Sequence, residues 1–194
     1  MLPFTLEQFL NVFATYNKAI WPAQIATYVL GTIAVAALLR PGRASDRVVS
    51  AVLGLMWLCT GVLYHGVFFS SINKAAFALG ALFVVECVAL LYAGIVRDAL
   101  RFAINYGFRA VIGAGFILYA SLVYPLIGIA TGHSWPALPM FGVAPCPVTI
   151  FTFGSTYDDP PLLLLASSDP LHLVTHRRQR CYPPRRSTGL AAFG

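Results

Sequence analysis

The chain has 194 residues, of which 58% are hydrophobic and only 10% are charged, and its mean hydropathy is +0.75. A soluble globular domain carries about a quarter of its residues as Asp, Glu, Lys and Arg. The composition therefore excludes a cytosolic enzyme, a disordered chain and a disulfide scaffold, and it indicates an integral membrane protein. We interpret the formal net charge of +6 mainly as a signal of membrane topology. We expect no nucleic acid among the partners of the membrane part.

The first twenty residues predict an amphipathic helix that lies in the outer membrane interface. The segment lacks the basic start and the uninterrupted apolar core of a signal peptide. Thr5 to Gln8 reads as a capping box. The apolar residues that follow recur at helical spacing, namely Phe9, Phe13, Tyr16 and Ile20. Polar residues occupy the other positions, namely Glu7, Gln8, Asn11 and Asn17. We expect Tyr16 and Trp21 at headgroup depth.

Four runs with almost no charge are long enough to cross about 30 Å of hydrocarbon as helices. They are residues 21–39, 48–70, 75–96 and 110–131. Each run is too long for a buried strand. The sequence therefore predicts an all-α integral membrane bundle with four transmembrane helices after the amino-terminal helix.

Basic residues set the predicted orientation, because Lys and Arg in short loops stay on the cytoplasmic side. The first of these loops holds Arg40, Arg43 and Arg47, and the loop between the third and fourth spans is equally basic. The loop between the second and third spans has only Lys74. The predicted arrangement is N-out, in a cell membrane, with anionic lipid headgroups as partners of the inner arginines.

Glu86 falls near the middle of the third predicted span, where an ionised carboxylate costs several kcal/mol. It is either a proton or cation site, or a neutral group that bonds across a helix interface. The outer halves of the spans collect polar and aromatic side chains, which predict an outward-opening pocket with Glu86 beneath it as a titrating group. These side chains are Gln24, Tyr28, Tyr64, His65 and Tyr124. His65 could instead be an interface or packing residue near a helix end.

Residues 132–149 are rich in proline, which predicts a shaped loop over the outer face. Cys146 lies between two prolines and is a candidate ligand for a soft metal, with His65 or His133 as a co-ligand. A metal site normally has closely spaced Cys or His residues, and here the four cysteines are isolated. We therefore predict no cofactor and keep metal binding as an alternative.

Residues 155–194 differ in composition from the rest of the chain. A helix is expected to begin near Thr149, but two Asp and two Pro follow it closely, and they do not fit in hydrocarbon. The arginines of this tail would lie outside, against the pattern of the inner loops. The tail is either a disordered basic extension that binds lipid headgroups, nucleic acid or an acidic partner, or an out-of-frame translation. We favour the second interpretation.

Three long motifs of the sequence are Glu7-Gln8-Phe9-x-x-Val12-Phe13-x-x-Tyr16-Asn17-x-Ala19-x-Trp21-Pro22-Ala23-Gln24, Arg40-Pro41-Gly42-Arg43-x-Ser45-Asp46-Arg47 and Phe141-Gly142-x-x-Pro145-Cys146-Pro147-x-Thr149-Ile150-Phe151-Thr152. A further motif, Tyr64-His65-x-x-Phe68-Phe69-x-x-Ile72-Asn73, lies between the second and the third. With them the chain, over residues 3–154, resembles a family of small bacterial inner-membrane proteins that is classed as a domain of unknown function. The resemblance implies a multi-pass inner-membrane protein and no particular activity. Members continue past the third motif into further apolar spans, and this chain departs from that pattern after Gly154.

The leading hypothesis for function is a small transporter-like or substrate-sensing membrane protein that uses the outer pocket. The chain shows no internal repeat, so a carrier would have to work as an oligomer. The alternative is a non-catalytic accessory subunit that packs against another membrane protein through Glu86 and faces of small residues. An enzyme is less favoured, because His65, Glu86 and Cys146 are the few residues available for catalysis.

Overall fold

The computed structural model describes residues 4–102 and 107–156, and the regular structure in these ranges is helical. The α-helices are α1 (Leu6–Ala19), α2 (Ala23–Leu38), α3 (Arg43–Cys59), α4 (Ala76–Leu91), α5 (Phe108–Leu118), α6 (Tyr124–Ala130) and α7 (Pro145–Thr156). Three of them continue into wider π-helical turns, which are Thr60–Phe68 after α3, Tyr92–Val96 after α4 and Tyr119–Val123 between α5 and α6. The predicted all-α class is confirmed for this part of the chain.

Three continuous helical segments are long and apolar enough to cross a membrane, namely Arg43–Ser71, Ala76–Val96 and Phe108–Ala130. They contain most of the second, third and fourth predicted spans. The first predicted span corresponds to α2, whose 16 residues measure about 24 Å. It is a fourth candidate only together with α1, to which it is joined at an angle of 83°. The structure thus supports three or four crossings, and the N-out orientation stays a prediction.

The side of these helices that faces away from the bundle is apolar, as contact with a bilayer requires. Leu82 on α4, Val111 on α5 and Leu126 on α6 are each at least 60% exposed. Charged residues are absent from the middle of the described helices, apart from Glu86. This surface supports the prediction of a membrane protein.

The bundle is organised around α3, which packs against α2, α4 and α7, while α7 in turn packs against α5. Glycines allow the closest approach between α3 with its π-helical turn and α4. A Cβ atom on Gly80 would meet the carbonyl oxygen of Gly61 at 2.8 Å, and Gly94 packs directly on Ser50. These contacts join Arg43–Ser71 and Ala76–Val96 along their length.

The capping box predicted for α1 is present. The Oγ1 atom of Thr5 accepts a hydrogen bond from the backbone N–H of Gln8, and the Oε1 atom of Gln8 accepts one from the backbone N–H of Thr5. The buried face of α1 packs on protein, because the rings of Phe13 and Tyr16 lie 5.0 and 5.4 Å from that of Tyr64. The side chain of Tyr16 is completely buried against protein, while its depth relative to the headgroups stays a prediction.

The predicted outer loop 132–149 is shorter in the structure, because α7 begins at Pro145. Proline suits the first turn of a helix, where no backbone N–H is needed for an intrahelical hydrogen bond. Ser155 and Thr156, which we assigned to the tail, belong to α7. Their hydroxyl groups donate to the carbonyl oxygens four residues earlier, which allows them to be buried. The rest of the predicted tail, residues 157–194, lies outside the described residues.

Candidate functional site

Asn17 joins the outer loop to the first two helices. Its Nδ2 atom donates to the carbonyl oxygens of Pro136 and Leu138, at 2.6 Å in both cases. Its Oδ1 atom accepts a hydrogen bond from Nε2 of Gln24 at 2.9 Å. Asn17 and Gln24 are 0% and 1% exposed, so the bonds form without contact with solvent. The amide nitrogen of Gln24 thus helps to position the loop, while its Oε1 atom has no hydrogen-bond partner.

Two hydroxyl groups bind the same loop. The hydroxyl of Tyr16 donates to the carbonyl oxygen of Val143, and that of Thr27 donates to the carbonyl oxygen of Phe141, each at 2.9 Å. Between these two carbonyls, Gly142 has a φ of 75°. The name outer clamp is used below for these four donor side chains and the carbonyl groups that accept their hydrogen bonds. The donors are Tyr16, Asn17, Gln24 and Thr27.

Replacing Gly142 by alanine is expected to cost about 2 kcal/mol of unfolding free energy. The new Cβ atom would meet the Cβ atom of Thr27 at 2.5 Å, and the left-handed backbone adds strain. The matched control is Gly132→Ala, because Gly132 has a φ of 87° but open space around its Cβ position. Reversible unfolding in mixed micelles should show the larger loss for Gly142→Ala. Equal losses would mean that the contact with Thr27 is unimportant.

His65 is buried in an aromatic environment within the π-helical turn that follows α3. Its ring lies 5.1 Å from Tyr64, 6.1 Å from Phe69 and 4.8 Å from Phe83 on α4. The residue is 4% exposed, and neither ring nitrogen has a hydrogen-bond partner in the described part of the chain. A buried polar group without a partner costs about 1 to 3 kcal/mol. Since π-helical turns occur frequently at functional sites, His65 is a strong candidate for a binding residue.

The tyrosines of the predicted pocket lie on three different helical segments, with Tyr28 on α2, Tyr64 after α3 and Tyr124 on α6. Tyr64 stacks among the aromatic side chains of α1 and is 2% exposed. Tyr124 lies near the side chain of Cys146 at the start of α7. The hydroxyl of Tyr28 donates to the carbonyl oxygen of Ser121 at 3.1 Å. The structure therefore brings Tyr64 and His65 together, and it places Tyr124 near Cys146 and Tyr28 in a contact between helices.

Glu86 forms no hydrogen bond with the other predicted pocket residues in the described part of the chain. It is the middle residue of Ala76–Val96 and is half-buried at the edge of the packed face of α4. Its neighbours Leu82 and Val85 are 64% and 63% exposed. The carboxyl group makes no hydrogen bond or ion pair with any residue in 4–102 or 107–156.

The two candidate metal ligands occupy different settings. Cys146 is exposed, and Nδ1 of His133 lies 3.1 Å from the hydroxyl of Thr131. Among the described residues, no group of three or more His, Cys, Asp or Glu side chains is placed to hold a metal ion. Metal binding by Cys146 and His133 stays a hypothesis, for which the described residues supply no third ligand.

A second polar cluster lies at the opposite end of Arg43–Ser71, and its arginines carried the predicted orientation. Asp46 is 3% exposed and accepts hydrogen bonds from the backbone N–H of Phe102 at 2.8 Å and from Arg101 at 3.4 Å. Arg47 donates two hydrogen bonds of 2.9 Å to the carboxylate of Asp98. We call Asp46, Arg47, Asp98 and Arg101 the inner clamp. The sequence contained one signal for this cluster, which is the acidic residue Asp46 among the arginines of the first basic loop.

The Asp98–Arg47 pair predicts a pH dependence of stability. The hydrogen bond from Arg47 holds the pKa of the Asp98 carboxyl group below its ordinary value. The stabilisation is therefore present above the unfolded pKa of about 3.9 and is lost as the pH falls through the folded pKa. We expect Asp98→Asn to lower the melting temperature slightly at pH 7, because the pair is exposed. The difference from the wild type should disappear in strong acid, and a difference that grew there would contradict the assignment.

One comparison with known proteins finds a family, and that family has no known function. A model described as a family of unknown function, DUF6064, matches residues 6–169. No curated protein and no solved structure matches the chain. The match extends past Gly154, where we predicted a departure from the family pattern, and the shifted reading frame stays a prediction. Because the matched region is most of the sequence, the chain belongs to the DUF6064 family of unknown function.

Proposed function

We propose that the protein is a substrate-sensing or transporter-like membrane protein that binds a small, uncharged polar solute at the outer end of the bundle. The observation that carries the proposal is a set of buried polar atoms without hydrogen-bond partners. Among the described residues these side-chain atoms are Oε1 of Gln24 and both ring nitrogens of His65. Both residues belong to the pocket that was predicted from the sequence.

The chemistry of these atoms favours an uncharged ligand. An amide oxygen accepts hydrogen bonds, and a neutral imidazole donates one and accepts one. Among the described residues, the hydrogen-bond and ring partners of Gln24 and His65 carry no formal charge; they are Asn17, Thr27, Tyr64, Phe69 and Phe83. A buried ion would lack a counter-charge, whereas hydroxyl or amide groups of a solute would satisfy the free atoms. Sensing is favoured over transport, because the chain has no internal repeat of the kind that most carriers contain.

The proposed setting is the bacterial inner membrane, with the amino terminus outside and α2 as the first of four crossings. This orientation is supported by Arg40, which precedes α3, and by Arg43 and Arg47 at the start of α3, against one lysine between the next two spans. A membrane-impermeant maleimide should then label Cys146 in intact cells carrying Cys181→Ser. If Cys146 were labelled only after the cells are opened, the orientation would be the opposite of the proposed one.

Binding can be tested through the thermal stability of the purified protein and the rate of alkylation of Cys146. The panel of probes consists of monosaccharides, polyols and small amides. We expect at least one of these classes to raise the melting temperature and to slow alkylation in the wild type, and both effects should be lost in His65→Phe. Tyr28→Phe is the matched control, because it removes a hydroxyl group that is already bonded to Ser121. An equal response of His65→Phe and the wild type, or none at all, would contradict the proposal.

A second candidate function is that of a non-catalytic accessory subunit in a membrane complex. It is favoured by Glu86, whose carboxyl group lies at mid-span at the edge of the α4 surface and has no partner in the described ranges. Stoichiometric purification of a different membrane protein with the wild type, and its loss with Glu86→Leu, would support this function.

A further inference from the structure

We infer that two copies of this chain pair in the membrane along one stripe of α4, with the two Glu86 side chains bonded to each other at the centre. The stripe consists of Leu79, Leu82, Glu86 and Ala89. The inference rests on the surface of α4 and does not depend on the ligand site proposed above.

The stripe has the spacing of a helix-pairing seam. Its members follow one another at intervals of three, four and three residues, which is the a/d pattern of a left-handed helix pair. Leu79 and Leu82 are 42% and 64% exposed, while Glu86 and Ala89 are half-buried. The packed side of α4 uses other residues, among them Gly80, Cys87 and Leu90. As far as residues 4–102 and 107–156 are concerned, the stripe is therefore available to a second helix without any change in the bundle.

The chemistry of Glu86 indicates that the helix that covers the stripe belongs to a second copy of this chain. In hydrocarbon a carboxyl group is kept uncharged or is paired. The uncharged form carries one O–H donor and retains acceptor capacity. A second carboxyl group supplies both an acceptor and a donor, so two such groups are complementary to each other. A two-fold interface requires this self-complementarity, because the same patch is present on both copies.

The position of Glu86 along the helix gives the register. Two copies inserted in the same direction are parallel, so each residue on the seam meets its own counterpart. Glu86 is the middle residue of Ala76–Val96, which places the carboxyl pair at the centre of the crossing. A single polar residue at an a position specifies register, and a small residue such as Ala89 allows close approach of the helices.

The first test is disulfide crosslinking of the full chain in membranes. The background replaces the four native cysteines by Cys59→Ala, Cys87→Ala, Cys146→Ser and Cys181→Ser. Leu82→Cys lies on the seam, and Val85→Cys is the matched control, because the two side chains are 64% and 63% exposed. With copper phenanthroline as oxidant, we expect a crosslinked dimer for Leu82→Cys and background for Val85→Cys. Equal crosslinking at both positions, or a foreign protein crosslinked at position 82, would overturn the inference.

The second test measures dimerisation by energy transfer between labelled copies in lipid vesicles. Glu86→Gln keeps donors and acceptors and should dimerise like the wild type. Glu86→Leu loses the hydrogen bonds, and its dissociation constant should rise about tenfold. Val85→Leu is the control, and the melting temperature of each variant reports whether it is folded. Dimerisation of folded Glu86→Leu at the wild-type level would overturn the inference, as would a wild type that stays monomeric.

Discussion

Replacing Asn17 by aspartate is expected to cost about 4 kcal/mol of unfolding free energy, although the two side chains have nearly the same size. The change removes the NH₂ group that donates to the carbonyl oxygens of Pro136 and Leu138 at 2.6 Å. It places a carboxylate oxygen against those carbonyl oxygens in a completely buried position. Each lost bond leaves a buried acceptor without a partner, and like partial charges repel each other.

The control for this prediction is the same substitution on the exposed side of the same helix. Asn11 is exposed on α1, so Asn11→Asp should change stability by no more than about 0.5 kcal/mol. Reversible unfolding in mixed detergent micelles measures both variants. If Asn17→Asp unfolded like the wild type, side-chain hydrogen bonds would not hold the outer loop to α1.

The second large effect is expected for Asp46→Ala, at about 3 kcal/mol. Asp46 accepts a 2.8 Å hydrogen bond from the backbone N–H of Phe102, which the substitution would leave buried and unpaired. It also removes the partner of Arg101. Hydrogen exchange at the Phe102 amide should accelerate in parallel with the loss of stability.

Two further variants separate the contributions of the inner clamp. Asp46→Asn keeps an oxygen that can accept from Phe102 but removes the charge, so it should be less harmful than Asp46→Ala. Asp98→Ala removes a carboxylate from an exposed pair and should have the smallest effect of the three. A ranking in which Asp98→Ala is the most harmful would show that the ion pair, and not the buried hydrogen bond, stabilises this end of the bundle.

The sequence predicted the parts of the fold that depend on local physics. Hydrocarbon forces a crossing chain to satisfy its own backbone, so apolar length alone identified the segments Arg43–Ser71, Ala76–Val96 and Phe108–Ala130. The capping box of Thr5 was visible because its partner is three residues away. The start of α7 was placed too late, because the prolines of this segment favoured a loop.

The clamps could not be predicted, because their partners are distant in the sequence. Asn17 was identified as part of the polar side of an amphipathic helix, yet it bonds to a loop more than a hundred residues further on. The periodicity of α1 showed which face is apolar, but it did not show whether protein or lipid covers that face. For the same reason Gln24 and Tyr28 were grouped into one pocket, although each bonds to a different element.

The sequence separation within the outer clamp also has a consequence for biosynthesis. Asn17 and Pro136 are 119 positions apart, and Tyr16 and Val143 are 127 apart. At a translation rate of about 5 to 20 residues per second, Pro136 leaves the ribosome roughly 6 to 24 s after Asn17. During that interval α2 to α6 are synthesised while the polar groups of α1 lack their final partners. Although α1 is made before the outer loop, it can be fixed in place only after that loop has reached the same side of the membrane.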